Sequence, residues 1–144
     1  MPKKLKLTPF VPKEYDEQVA VFEWAKYCKL PGIDMLYATL NGVKLPIGYA
    51  VKLSKAGLKR GPLDINLDVA RGGYFGLRIE LKRIRSGVLS DEQQTWIKDL
   101  RDEGYCVHVA FGARDAIARI SHYLTLPRTV VIPFTPSDEE MKHA

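Results

Sequence analysis

Cysteine is scarce in this 144-residue chain: Cys28 and Cys106 are too few for a disulfide framework and lack metal-ligand spacing. A reducing, cytoplasmic setting is the expectation. No stretch approaches the roughly 18–20 apolar residues that a membrane span needs. The opening "MPKKLKLTPFVPKEY" lacks the continuous apolar core of a signal peptide. The three histidines have no partners at ligand or triad spacing. No serine or cysteine nucleophile motif stands out, the glycines form no phosphate-cradling loop, and there is no repeat. These absences set aside disulfide scaffolds, membrane proteins, triad hydrolases and P-loop enzymes.

Acidic residues are missing from one stretch. Between Asp34 and Asp64 there is none, while Lys44, Lys52, Lys55, Lys59 and Arg60 all fall there. The net charge is +5. A basic block leading into an acidic site suits a polyanion such as nucleic acid. A solvated lysine-rich face is the alternative. With 46% apolar and 27% charged residues, the composition is that of an ordinary globular protein, and the length suits one domain with a real core.

Residues 1–12 carry three prolines without clear periodicity and read as an arm. A helix is expected over about 14–29, with acids in its first turn and lysines near its end, which complements the helix dipole. A strand over 35–39 should end at the Asn41-Gly42 turn, and a short basic helix should span 49–55 and stop at Gly57. In "GPLDINLDVARGGYFGLRIELKR", Ile65, Leu67 and Val69 alternate with Asp64, Asn66 and Asp68. Leu77, Ile79 and Leu81 then alternate with Arg78, Glu80 and Lys82. Two period-2 runs around Gly72-Gly73 predict a β-hairpin with one apolar face. "SDEQQTWIKDLRDEG" opens on a Ser90–Gln93 capping box and predicts a helix stopped at Gly104. The strand "YCVHVAF" and the helix "RDAIARISHYL" follow. In the tail, "RTVVIPF" has the composition of an edge strand, with Pro133 confining it to an edge. The resulting order is α, β, α, ββ, α, β, α, a pattern in which helices cover a mixed sheet on both faces.

A hairpin symmetric about Gly72 places Ile65 opposite Ile79, Leu67 opposite Leu77 and Asp64 opposite Glu80. Facing carboxylates repel unless one is protonated or a cation lies between them. A divalent ion such as Mg²⁺ is the simplest remedy, because it takes one or two carboxylates together with carbonyl, water and phosphate oxygens. Lys82 shares the face of Glu80, where an ammonium can orient water or steady charge on a phosphate. The alternative is an exposed ion pair of little energetic consequence. Glu14, Asp16 and Glu17 offer a further acid, and Gln18 lies one turn after Glu14 on the same helix face. An acidic first turn is equally explained by helix-start electrostatics, Gln93 by capping, and Asn41 by the turn.

"GPLDINLDV…GLRIELKR" resembles the signature of PD-(D/E)xK nucleases, with Pro62-Asp64 as an interrupted P-x-D and then Glu80-x-Lys82. More closely, residues from about 14 to 123 resemble the stand-alone VRR-NUC nucleases of phages and prophages. The resemblance runs through "EYDEQ", "NG" at 41–42, "AVKLSKAGLKRGPLD", "GGYFGLRIELKR", "GVLSDEQQTWI", "LRDEGYCVHVAFGARDAIARI" and "HYL". Leu40 departs from it, since many relatives have proline there. The resemblance implies an α/β fold with a restriction-endonuclease-like core, a mixed β-sheet flanked by helices. It divides the chain into an arm (1–12), a nuclease domain (13–124) and a tail (125–144). It further implies Mg²⁺- or Mn²⁺-dependent phosphodiester hydrolysis by an endonuclease selective for branched, Holliday-junction-like DNA, acting as a homodimer in a bacterial cytoplasm. Asp64 and Glu80 would hold the metal with the Leu81 carbonyl, Glu14 would be the helix acid, Lys82 the catalytic lysine and Gln93 the glutamine beside it. Lys44, Lys52, Lys55, Lys59, Arg60, Asn41 and Gln18 would face DNA. An exonuclease or single-strand nuclease with the same site, or a DNA-binding module without catalysis, are the competing readings.

Overall fold

Helix α1 (Glu14–Tyr27) starts with three acids in its first turn and no side-chain cap, so charge–dipole compensation serves its N-terminus. The computed structural model describes residues 11–39 and 45–144. Gly32, at φ +96°, turns the chain into a single 3-10 turn and then strand β1 (Leu36–Ala38). The expected Asn41-Gly42 turn and Lys44 lie outside the described residues, as do residues 1–10 of the arm. Helix α2 (Ile47–Lys55) begins two residues earlier than its sequence suggests. None of its residues is buried, so it lies on the surface.

Strands β2 (Ile65–Leu67) and β3 (Leu77–Lys82) pair antiparallel, with Ile65 opposite Ile79 and Leu67 opposite Leu77. The turn itself is offset. Arg71 bridges to Tyr74, leaving three residues (68–70) on one leg and two (75–76) on the other. The extra residue is confined to the turn end, a bulge-like adjustment, and the strand register is the symmetric one. Helix α3 (Asp91–Asp102) begins with the Ser90–Gln93 capping box. It then returns the chain to β4 (Cys106–Phe111), which runs parallel to β3. A parallel neighbour requires such a crossover helix. Helix α4 (Ala113–Thr125) follows. The sheet order is β1-β2-β3-β4.

Strand β3 is buried on both faces. Ile79 and Leu81 join Val21, Ile65, Leu67, Ile120 and Tyr123 in the larger core, against α1 and α4. On the other face Leu63, Ile97 and Val107 form a smaller core under α3. Glu80 and Lys82 on such a strand, with Asp64 just before β2, are costly to bury unless they are paired.

Glu17, one of the acids in the first turn, serves the fold. Its Oε2 accepts a hydrogen bond from the Ala113 amide at the start of α4, whose N-cap, Gly112, has no side chain to do so. Glu17→Ala should lower the free energy of unfolding in urea by about 2 kcal/mol, because a buried amide loses its acceptor.

The tail corrects one expectation. "RTVVIPF" forms no strand: Arg128 makes an isolated bridge to Arg71, Thr129 hydrogen-bonds to Ala70, Gly73 and Tyr74, and a short helix α5 (Asp138–Met141) follows. Composition alone does not make a strand; an open edge is also needed. The outer edge of β4 is guarded, because Arg101 donates to the Val107 carbonyl and the Phe111 amide donates to Asp115. Among the described residues no helix is long and apolar enough to cross a membrane.

Candidate active site

Glu80 and Lys82, on one face of β3, meet Gln93 in the first turn of α3. Glu80 is 1% exposed, and Asp64 and Lys82 are also buried. Asp64 precedes β2 by one residue, so the register that pairs Ile65 with Ile79 places it across from Glu80. One of its oxygens, Oδ2, accepts the Leu81 amide at 2.8 Å. Lys82 Nζ lies 3.1 Å from Glu80 Oε1 and 3.2 Å from Gln93 Oε1. Gln93 Nε2 donates to the same Glu80 oxygen. Lys82 therefore stands in a buried polar network, which sets aside the exposed ion pair.

Burial pushes the Glu80 carboxyl up to about 8; the Asp64 charge pushes the same way, and Lys82 pushes against both. Glu80 Oε2 is buried with no hydrogen-bond partner among the described residues. A buried, unmatched carboxylate oxygen beside a second carboxylate is the unfavourable arrangement that a cation relieves. The Glu14 carboxyl is also raised, first by burial and then by Asp64, so it lies within reach of the same field. Among the described residues no three His, Cys, Asp or Glu side chains converge as a metal cage. Asp64 and Glu80 are thus a pair, with Glu14 at its margin.

Several positioning residues carry no strong signal in the sequence. Arg83 donates to the carbonyls of Pro12 and Val11, both at 3.2 Å, and so ties the entry of α1 to the end of β3. That tie brings Glu14 near the pair. Gly87 packs on the stem of Lys82, where a Cβ would lie 2.9 Å from Lys82 Cγ. Trp96 Nε1 donates to the Arg60 carbonyl at 3.1 Å. The indole crowds Gly61 so closely that a Cβ there would lie 2.7 Å from Nε1. Thr39 holds the same segment from the other side, through the carbonyls of Leu63 and Asp64. Asp64 thus sits at the end of a fixed stretch of backbone. Lys52, Lys55, Lys59 and Arg60, on α2 and the loop after it, are all solvent-exposed, and Gln18 is half-buried on α1. Asn41 and Lys44 lie outside the described residues.

A solved structure described as a VRR_NUC domain protein is similar to this chain, with a TM-score of 0.72 and 31% sequence identity. The match covers 90% of this chain and 100% of the other. The chain belongs to the VRR-NUC family. No family model matches the sequence, and no curated protein does either. Membership accounts for the mixed four-stranded sheet with helices on both faces. Within this VRR-NUC fold the buried Asp64–Glu80–Lys82–Gln93 network lies where β3 meets α3. None of the three histidines belongs to it, and His143 follows α5, its amide donating to the Glu140 carbonyl. His108 lies on β4 between Cys106 and Arg119, and His122 lies on α4.

Proposed function

We propose that the protein is a metal-dependent deoxyribonuclease that hydrolyses phosphodiester bonds, and that its site is the Asp64–Glu80 pair with Lys82 and Gln93. The observation that carries this reading is Glu80: a buried carboxyl with one oxygen unmatched, facing a second carboxylate. The donor set fits Mg²⁺ or Mn²⁺, hard ions that take oxygen ligands and leave room for water and substrate phosphate. Asp64, Glu80 and the Leu81 carbonyl would hold the ion, with Glu14 as a further acid. What such an ion supplies is polarisation of a phosphate oxygen and a more acidic water.

The chain's own residues supply orientation and charge. Lys82, fixed by Glu80 and Gln93, presents an ammonium where negative charge builds on the phosphate and where an attacking water can be aligned. Gln93 keeps both partners in place. Lys52, Lys55, Lys59 and Arg60, with Lys44, Asn41 and Gln18, would bind the DNA backbone. Branched DNA of the Holliday-junction type is the proposed substrate and a homodimer the acting form, because two sites suit two strands.

The test is a panel of labelled linear, nicked, flapped, single-stranded and four-way DNA in Mg²⁺, Mn²⁺, Ca²⁺ or chelator. The expected result is fastest cutting of the four-way junction, in Mg²⁺ or Mn²⁺ only. Undiminished cutting in chelator would remove the metal from the mechanism. Salt-dependent binding with no cleavage under any condition would make the protein a binding module.

A further inference from the structure

Side chains paired across neighbouring strands share a face of the sheet. Val107, packed under α3, continues through Arg78 and Asn66 to Tyr37 on β1. The adjoining row runs from Glu80 through Asp64 to Thr39, whose amide donates to the Asp64 carbonyl at 2.9 Å. Tyr37 and Thr39 therefore share the face of the two carboxylates. Thr39 stands two strands from Glu80, about 10 Å, which is within reach of an adjoining nucleotide.

At the β1 end of this face lies a cleft of about 390 Å³, lined by Tyr37, Thr39, Leu58, Lys59, Pro62 and Trp96. Its walls are set by hydrogen bonds elsewhere. Gly57, at φ +101°, ends α2 in a turn where its amide donates to the Ser54 carbonyl and the Leu58 amide to the Leu53 carbonyl. Trp96 is tied to the Arg60 carbonyl, and the Thr39 hydroxyl to the Leu63 carbonyl. Walls held in advance spare a ligand the cost of ordering them.

The lining suits a flat apolar body that carries negative charge. Lys59 is its one charged residue, and among the described residues no carboxylate lies within ion-pair distance of it. Asp68, the acid beside the Tyr37 hydroxyl, is paired with Arg78 at 2.9 Å. A second cleft that Trp96 also lines includes Asp99 and Glu103, which would repel an anion. A nucleobase with its phosphate answers both halves of the first cleft, apolar rings and a free ammonium. Bases inside a duplex are already stacked on both sides, so the occupant has to be unpaired.

We propose that this cleft receives an unpaired nucleobase next to the scissile phosphate, stacked against Tyr37 and Trp96, with Lys59 on an adjoining phosphate. The inference rests on the nuclease reading of the neighbouring carboxylates. It adds what the DNA must offer, a base free of its partner, as at a flap, a gap or a branch point.

Fluorescence anisotropy in Ca²⁺ tests it with end-labelled oligothymidylate and an abasic strand of equal length and charge. The wild-type chain should bind oligothymidylate about tenfold more tightly, the worth of one base–aromatic stack. Tyr37→Ala should bring the two strands to within about twofold, and Tyr37→Phe, which keeps the ring, should preserve the gap. Irradiation of a strand carrying 5-iododeoxyuridine should cross-link it to Tyr37 or Trp96, located by peptide mapping. The wild-type comparison and the cross-link need no variant, so they stand even where Tyr37→Ala misfolds. Equal affinity for the two strands, no binding of either, a Tyr37→Ala gap as wide as wild type, or cross-links only outside the cleft would each overturn the subsite. A chain that cuts DNA yet binds both strands alike keeps the nuclease and loses the subsite; one that prefers oligothymidylate and never cuts does the reverse.

Discussion

Asp64→Asn should slow DNA cleavage by about a thousandfold or more while raising the melting temperature of the metal-free protein at neutral pH. An asparagine oxygen can still accept the Leu81 amide, so the backbone contact that fixes this position is kept. What is lost is the charge. Removing one of two carboxylates weakens the hold on a divalent ion, and such an ion is worth several kcal/mol in the transition state. Each ~1.4 kcal/mol is tenfold in rate. The same change removes the repulsion that raises the Glu80 carboxyl, so the protein without metal gains stability. Cleavage of the four-way junction in Mg²⁺ reads the first effect, and a thermal melt in chelator reads the second. A variant that cuts at the wild-type rate would take Asp64 out of the site. Lys82→Ala, which leaves the carboxylates in place, should cost about 10²–10³-fold, the usual range for one lost charge-stabilising donor.

The metal-free protein should also become less stable as pH rises from 4.5 to about 8. The sign follows from which state holds the proton. In that window the folded state keeps Glu80 protonated while the unfolded state has released the proton, so raising the pH favours unfolding. Below the window both states are protonated and the penalty is absent; above it the penalty is complete. Each pH unit within it costs at most ~1.4 kcal/mol, for a total on the order of a few kcal/mol. Glu14 is raised as well, by burial and then Asp64, and adds to the slope in the same direction. Urea unfolding in chelator at several pH values measures it. Glu80→Gln should flatten most of the slope, and so should Mg²⁺, which binds the ionised form. A Glu80→Gln profile as steep as wild type would place the titration elsewhere.

The hairpin was legible because a strict period of two fixes which face is apolar, and symmetry about Gly72 then selects the register Ile65–Ile79 and Leu67–Leu77. That register carries Asp64 opposite Glu80, so symmetry and alternation pointed to the centre of the candidate site, and the family resemblance named its residues. Its margins did not. Arg83, Gly87 and Trp96 act through backbone carbonyls and close approach, contacts that no spacing rule encodes. The acids of α1 look alike in sequence yet separate in space: Glu17 turns to the start of α4, whereas Glu14 feels the charge of Asp64. The tail shows the reverse error. "TVVI" has strand chemistry, but an arginine and an aspartate already occupy the edge of β4.

Gln93 belongs to two structures at once. Its Oε1 accepts the Ser90 amide as part of the cap of α3, and the same oxygen receives Lys82, while its amide nitrogen holds Glu80. The first turn of α3 therefore cannot fray without parting Lys82 from Gln93 and leaving it held by Glu80 alone. Helix ends open at a far lower free energy than whole domains. On warming, activity should fade below the temperature at which the fold is lost, and recover on cooling, so that a local helix–coil equilibrium acts as a thermal throttle on the chemistry.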